Sequence, residues 1–334
     1  MDIILNVFLL IIGFIMLIKG ADFFIISSVS IARRARISPL IIGLTLVAFG
    51  TSLPELAVSF VASIQAMRQG LTADIALGNV VGSNISNITL ILGASALVLP
   101  TAVDRSIFKK EIPFLMGISI LLALFAMVGS KAEISRIESV LLLMLFVLYM
   151  IIVIRGSKSV HHDDDYHVIE PKKQVILLVV GLLGVTVGGY VVTYSAESIS
   201  LSFLVGIIGM NATQAKTLIG LSIVSLGTSL PELVTSMVAA KKGESQIAVG
   251  NVIGSNVFNS LLIVGLSGVF APLGVNPDVR FDLVLVIFIT AAMVVMVFHK
   301  RMITRTNGFT LVLIYIAYLV FILLRALGTF IIPF

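Results

Sequence analysis

Two glutamates lie deep within apolar stretches of the chain, each inside the same seven-residue string. GTSLPEL occurs at residues 50–56, where it contains Glu55, and again at 227–233, where it contains Glu232. A charged side chain at the centre of a membrane segment is energetically expensive, so an ionisable residue there is a functional candidate by default. No basic residue lies at comparable depth in these stretches to neutralise either glutamate. Two buried carboxylates without an internal counter-charge predict a cation site.

The residue types around these glutamates favour a hard cation. Pro54 and Pro231 should each break a helix just before the glutamate, and a broken helix exposes backbone carbonyl oxygens. Ca²⁺ and Na⁺ prefer oxygen ligands, whereas Zn²⁺ and Cu favour His or Cys. The chain has no Cys, and none of its four His lies near the motifs. The nearby hydroxyl and amide side chains belong to Thr51, Thr228, Ser52, Ser229, Ser83, Ser255, Asn87 and Asn259.

These motifs form an internal repeat. Residues 50–63 and 227–240 share 10 of 14 residues, and residues 75–93 and 247–265 share 12 of 19. Five predicted membrane spans separate the two copies, and because five is odd the copies cross the membrane in opposite directions. Inverted repeats are typical of secondary transporters, which bind their substrate between the repeats near the bilayer midplane.

The composition is that of a membrane protein. Hydrophobic residues make up 58% of the 334 residues, charged residues make up 12%, and the mean hydropathy is +1.15. Soluble domains carry about twice that share of charge. The apolar runs are too long and continuous for an outer-membrane barrel. We predict ten spans, at 3–31, 39–66, 73–98, 112–129, 137–154, 174–203, 214–240, 246–271, 282–299 and 309–331.

The expected fold is therefore an all-α polytopic membrane protein, with ten transmembrane helices arranged as two inverted five-helix repeats. The first repeat covers residues 1–154, a loop covers 155–173, and the second repeat covers 174–334. Fifteen Lys and Arg lie in the loops on one side and five on the other. The positive-inside rule then predicts a multi-pass protein of the plasma (inner) membrane with extracytoplasmic termini and a cytoplasmic central loop. The HHDDDYH stretch at 161–167 is expected to be solvated. The basic loops explain the net charge of +5 without a nucleic-acid partner.

The pair of motifs, GTSLPEL with a following GNVxGSN, resembles the alpha repeats of the sodium/calcium exchanger family and most closely its prokaryotic branch. The resemblance covers essentially the whole chain. It implies that Glu55 and Glu232 bridge a central Ca²⁺ site and flanking Na⁺ sites. It also implies roles for the threonine carbonyls and hydroxyls, the four serine hydroxyls, Asn87 in the central position, and the carbonyls of Ala48 and Ser225.

The resemblance further implies alternating access, in which spans 1 and 6 slide past a fixed site. Ca²⁺ and Na⁺ are the transported ions and bind within the bilayer, no cofactor is expected, and we expect a monomer. Several family members carry Asp where this chain has Asn259. Two carboxylates balance one Ca²⁺ or two Na⁺, so the coupling ratio, and sodium coupling itself, stay open.

The sequence thus predicts a Na⁺/Ca²⁺ antiporter. The alternative is a Ca²⁺/H⁺ antiporter that uses the same two glutamates as proton carriers. A channel would not need inverted broken helices. An intramembrane enzyme could use paired glutamates as general acid and base, but the chain lacks an HExxH motif and a Cys nucleophile.

Four charged residues at the margins of the spans carry smaller expectations. Lys19 and Asp22 are three residues apart, which predicts a local ion pair. Arg325 should extend its side chain to the interface. Glu197 is expected near the outer interface.

Overall fold

The computed structural model describes residues 3–128, 132–156, 169–206, 225–298 and 300–326, together with residues 208, 210, 211 and 219. The helices of the first half are α1 (Ile3–Arg34), α2 (Pro39–Thr51), α3 (Leu53–Gln69), α4 (Asp74–Val98), α5 (Ile107–Val128) and α6 (Arg136–Arg155). The helices of the second half are α7 (Pro171–Gly206), α8 (Ser225–Thr228), α9 (Leu230–Lys241), α10 (Ser245–Phe270), α11 (Pro277–Phe298) and α12 (Arg305–Ala326).

The described helices confirm a polytopic helical membrane protein. Eight of them are long and apolar enough to cross a bilayer, and α2 with α3 forms a further span that is bent by 48°. The seventh predicted span, 214–240, lies partly outside the described residues, and its described part is α8 and α9. The two long helices α1 and α7, of 32 and 36 residues, exceed the roughly 20 residues that a perpendicular span needs.

Three helices begin about one turn earlier than predicted. We expected starts at 112, 282 and 309, whereas α5, α11 and α12 begin at Ile107, Pro277 and Arg305. The predicted helix starts were placed at the beginnings of the apolar runs, but capping side chains in the preceding loops start a helix sooner. The Asn276 side chain accepts a hydrogen bond from the Val279 amide at 2.8 Å, and the Thr304 hydroxyl accepts one from the Asn307 amide at 3.2 Å.

Two short antiparallel ladders, which the sequence analysis did not anticipate, link loops of the two halves. Strand β1 (Thr101–Ala102) pairs with β4 (Met302–Ile303), and β2 (Glu133–Ile134) pairs with β3 (Leu273–Gly274). Each ladder joins a loop of the first half to a loop of the second half, so the loops fix the relative position of the halves.

The centre of the molecule is built by α4 and α10. In the most apolar stretch of each helix, 94% of α10 and 72% of α4 lie buried inside the protein, whereas only 17% of α12 does. The two central helices carry the second motif of each repeat. The outer helices therefore face lipid, and the polar motifs are enclosed by protein.

Helices α1 and α7 pack with their backbones in contact. A Cβ atom built on Gly20 would lie 2.6 Å from the carbonyl carbon of Gly184, and one on Gly188 would lie 2.6 Å from the backbone nitrogen of Leu17. Only glycine permits such an approach, which is how small residues hold membrane helices together. The two long helices therefore form one closely packed pair.

The predicted pair of Lys19 with Asp22 is wrong, because Asp22 pairs with Lys242, at 2.6 Å between Oδ1 and Nζ. Arg325 has a partner that the sequence analysis did not predict, since its guanidinium binds both carboxylate oxygens of Asp282, at 3.2 and 3.1 Å. In both pairs the partner comes from a distant part of the chain that sequence spacing could not reveal.

Candidate cation site

The first half carries a break in the middle of a span. Helix α2 ends at Thr51 and α3 begins at Leu53, with Ser52 between them, and Pro54 is the second residue of α3. Because proline has no backbone N–H, it is tolerated in the first turn of a new helix, whereas inside a helix it removes a hydrogen bond and favours a kink or break. The break is where the sequence predicted it. It leaves Glu55 in the first turn of α3, where the free N–H groups and the helix dipole stabilise a negative charge.

The second half repeats this arrangement. Helix α8 ends at Thr228, and α9 begins at Leu230 with proline in its first turn and Glu232 next to it. The backbone amide of Ser229 donates to the Leu226 carbonyl at 3.1 Å, whereas the equivalent amide of the first half, Ser52, donates to Ala48 at 3.0 Å. Ser225 lies in α8, and its side chain falls outside the described residues.

Each glutamate is held by hydroxyl groups of both halves. The Ser52 hydroxyl donates to Oε1 of Glu232 at 2.9 Å, and Thr51 and Ser255 lie beside the same carboxylate. In the mirror arrangement, the carboxylate of Glu55 contacts the side chains of Thr228 and Ser83. Thr51 and Ser52 of the first break therefore approach Glu232, and Thr228 of the second break approaches Glu55, which brings the two motifs into one site.

The site contains buried oxygens that lack hydrogen-bond partners. Glu55 and Glu232 are each 1% exposed, and one oxygen of each carboxylate accepts no hydrogen bond from the residues that the structure describes. A buried polar atom left unpaired costs about 1–3 kcal/mol, so such a cluster calls for a ligand. Among the described residues of the predicted set, the unpaired atoms are Oε2 of Glu55 and Glu232, Oδ1 of Asn87 and Asn259, and the hydroxyls of Ser229 and Ser255. These are all oxygen atoms, which matches the preference of hard cations.

No basic side chain compensates the two glutamates in the described part of the chain. The ion pairs found there join Arg33 to Glu244, Lys242 to Asp22, and Arg325 to Asp278 and Asp282. Helix dipoles and hydroxyl groups stabilise the two carboxylates only partially. The site therefore has the electrostatic character of a receptor for positive charge.

A second layer of amides supports the breaks, and the sequence analysis missed it. The side-chain nitrogen of Asn79 donates to the Ser59 hydroxyl at 3.1 Å, and that of Asn251 donates to the Ser236 hydroxyl at 2.9 Å. The oxygen of Asn251 accepts from the Thr51 hydroxyl at 3.1 Å. These residues are identical in the two repeat copies, and that identity was the available signal.

The glycines of the GTSLPEL strings let the α1–α7 pair reach the breaks. A Cβ atom on Gly50 would lie 2.8 Å from the Phe24 ring of α1, and one on Gly227 would collide with the Thr193 side chain of α7. The breaks are thus covered closely by the two long helices. Any larger residue at either glycine would push the pair away from the site.

A cavity of about 530 Å³ extends from the site along α7. Pro54 and Thr228 line the part next to the breaks, and Glu197, Tyr190 and Tyr194 line the part along α7. Glu197 was expected towards the outer interface, and the cavity joins its position to the site. Of the proposed ligands, Thr228 lines this cavity, so the cavity borders the second break.

Comparison with known proteins gives a consistent result. The chain matches a family model described as sodium/calcium exchanger protein over residues 5–155 and 173–324. It is 35% identical to the sodium/calcium exchanger MaX1 of Methanosarcina acetivorans, with 94% of this chain and 97% of the relative covered. It is 36% identical to the putative antiporter CaxA of Alkalimonas amylolytica, with 78% and 79% covered.

A solved structure shares the fold. The sodium-calcium exchanger NCX_Mj, soaked with 2.5 mM Na⁺ and 1 mM Sr²⁺, superposes with a TM-score of 0.79 at 31% sequence identity. The match covers 96% of this chain and 99% of that chain.

Proposed function

The chain belongs to the sodium/calcium exchanger family, and from that membership we propose that it exchanges Ca²⁺ for Na⁺ across the membrane by alternating access. The cations bind between the two halves, with Glu55 and Glu232 as the shared carboxylate ligands. Two threonines, four serines, two asparagines and the carbonyls of Ala48 and Ser225 complete the ligand set. Residues 1–154 and 174–334 act as the inverted repeats.

The observation that carries this proposal is the pair of unpaired carboxylate oxygens. Within the described part of the chain, Glu55 and Glu232 each keep Oε2 free of hydrogen bonds while buried at the junction of the two halves. Two negative charges match one Ca²⁺ or two Na⁺, so the two kinds of cation compete for the same groups. That competition supports exchange, since one ion must leave before the other binds.

Proton coupling is the second candidate function. The oxygen of Asn259 is neutral, so this site has two carboxylates where several family members have three acidic groups. With less negative charge available for Na⁺, the two glutamates could carry protons in one direction and Ca²⁺ in the other. Both functions use the same residues and differ only in the driving ion.

The closely packed α1–α7 pair covers the site, and this packing supports alternating access. On the predicted topology, the cavity beside α7 opens towards the extracytoplasmic side. The opposite end is held by Asp22 of α1, which pairs with Lys242 in the loop after α9, and by Arg33, which pairs with Glu244 at 3.8 Å. Sliding of the α1–α7 pair would break these contacts and expose the site to the cytoplasm.

Reversing the charge at one end of the Asp22–Lys242 pair should reduce the population of the outward-open state. A partly exposed ion pair contributes about 0.2–1 kcal/mol, which corresponds to at most a roughly fivefold population shift. Because the natural chain has no Cys, a single Val58→Cys in the cavity can be labelled specifically from outside. We expect Lys242→Asp to slow labelling by up to about fivefold.

The matched control for this prediction exchanges the two charges. Asp22→Lys combined with Lys242→Asp restores an attractive pair and should restore the labelling rate. Equal labelling in the original chain and in Lys242→Asp would show that the pair does not hold the cytoplasmic end closed.

The driving ion is tested with purified protein in liposomes. Vesicles are loaded with Na⁺ and diluted into Na⁺-free buffer, and uptake of radiolabelled Ca²⁺ is followed. K⁺-loaded vesicles and vesicles with only a pH gradient serve as controls. The proposal expects uptake only with internal Na⁺. Uptake driven by the pH gradient would assign the protein to Ca²⁺/H⁺ exchange, and uptake without any gradient of either ion would contradict exchange.

A further inference from the structure

Two asparagines outside the proposed ligand set, Asn84 and Asn256, lie where the central helices α4 and α10 meet. They occupy the last position of the GSN string in each repeat copy. Asn84 is 4% exposed and Asn256 is fully buried. Their side chains bind amides of the opposite half, and these amides belong to Asn87 and Asn259. The buried asparagines therefore touch two proposed ligands directly.

The hydrogen bonds cross between the halves as a pair. The side-chain nitrogen of Asn87 donates to Oδ1 of Asn256 at 2.8 Å, and that of Asn259 donates to Oδ1 of Asn84 at 3.2 Å. In each bond the proposed ligand is the donor and the partner asparagine is the acceptor. The same geometry thus occurs twice, once in each direction.

The nitrogen atoms of the two partner asparagines are also engaged. Nδ2 of Asn84 donates to the Ser260 hydroxyl at 2.8 Å, and Nδ2 of Asn256 points to the backbone carbonyl of Asn84 at 3.5 Å. A backbone carbonyl can only accept a hydrogen bond, so it determines which end of the Asn256 amide is nitrogen. The oxygen of Asn256 is then the end that meets Asn87.

The consequence for the site is a defined orientation of both ligand amides. An amide presents oxygen on one side and NH₂ on the other, and only the oxygen attracts a cation. Since the nitrogen atoms of Asn87 and Asn259 are bound, their oxygens are the free ends, and both oxygens are buried without a partner among the described residues. A flipped amide would place an NH₂ group against the cation.

We propose that Asn84 and Asn256 are positioning residues that hold the amide oxygens of Asn259 and Asn87 towards the transported cations. This inference rests on the proposed function, because it assumes that the two amides are ligands.

The test compares two replacements of Asn256. Asn256→Leu has a similar size but no acceptor, so the Asn87 amide is free to rotate. Loss of such a supporting group typically lowers metal affinity about 10- to 100-fold. A protonated Asp in Asn256→Asp keeps an acceptor for the Asn87 nitrogen and a donor for the Asn84 carbonyl, and we expect its KM for Ca²⁺ to stay within about threefold of the original chain. The maximal uptake rate should change less than KM in both variants.

The order of the effects of Leu and Asp on KM distinguishes a positioning role of Asn256 from a packing role. If Asn256 only fills space, a buried Asp is worse than Leu, and that result would overturn the proposal, as would an unchanged KM in Asn256→Leu. Asn84→Leu and Asn84→Asp give the mirror comparison for Asn259 should the Asn256 variants fold poorly. Ser95→Ala is the matched control, because Ser95 is buried in α4 and its hydroxyl bonds only within that helix, to Ile91.

The failure of the inference and the failure of the proposed function give different results. A chain of the original sequence that takes up no Ca²⁺ under a Na⁺ gradient overturns the function before any variant is compared. An active chain whose Leu and Asp variants are equally impaired overturns only the positioning role.

Discussion

Replacing either Glu55 or Glu232 by Gln should reduce Na⁺-driven Ca²⁺ uptake at least about 100-fold. Gln has the same shape and can still accept hydrogen bonds from Ser52 or Thr228, so only the charge is lost. At an effective dielectric constant of about 20, two unit charges 4 Å apart interact by about 4 kcal/mol, and each 1.4 kcal/mol is a factor of ten. The measurement is radiolabelled Ca²⁺ uptake into Na⁺-loaded liposomes at matched protein density.

A partly buried glutamate in the first turns of α5 provides the control. Glu111 accepts a hydrogen bond from the Tyr149 hydroxyl at 3.0 Å and is not part of the site. Glu111→Gln keeps an acceptor for that hydroxyl and should leave uptake close to that of the original chain. Substantial uptake by Glu55→Gln or Glu232→Gln would contradict the ligand role of that glutamate. An equal loss of uptake in Glu111→Gln would mean that removing the charge of a glutamate outside the site is as damaging.

The sequence was sufficient to predict the broken spans because their causes are local. Pro54 lacks an N–H and clashes with the carbonyl four residues earlier, and the helix ends at Thr51, just before it. The repeat copies then indicated that the second half would break in the same way before Glu232. Composition and run length likewise predicted the polytopic helical fold, because a bilayer requires long apolar helices with internally paired backbones.

What escaped prediction depends on contacts between distant residues. Asp22 lies 220 residues from Lys242, and the local alternative, Lys19, was the only partner that spacing could suggest. The start of α11 was misplaced because its first polar turn, 277–281, was read as loop, so Asp282 was placed at the end of a span instead of inside it.

The orientations of the amide side chains are a further feature that could not be predicted from the sequence. The positions of Asn87 and Asn259 in the motifs identified them as candidates. Which atom of each amide is free depends on the partner across the α4–α10 contact, and the sequence does not contain that information. The repeat identity of Asn84 and Asn256 signalled that they matter but not how.

The ion pair between α11 and α12 should be a main support of stability. Asp282 binds Arg325 through both oxygens, and the two side chains are 11% and 14% exposed. Removing one partner of a buried pair leaves an uncompensated charge and costs about 3–5 kcal/mol. We therefore expect Arg325→Leu to lower the thermal unfolding temperature of the purified protein markedly, as measured by the melting of its helical signal in detergent.

The double variant Asp282→Leu with Arg325→Leu tests the physical cause. Replacing a whole buried pair by apolar residues is often neutral, so the double variant should recover most of the stability that the single variant loses. If Arg325→Leu melts like the original chain, the pair behaves as an exposed one worth about 0–1 kcal/mol. The charge of Asp282 is matched by Arg325, whereas neither Glu55 nor Glu232 has a basic partner in the described part of the chain. A carboxylate with a built-in partner supports the fold, whereas one without a partner is left for a mobile cation.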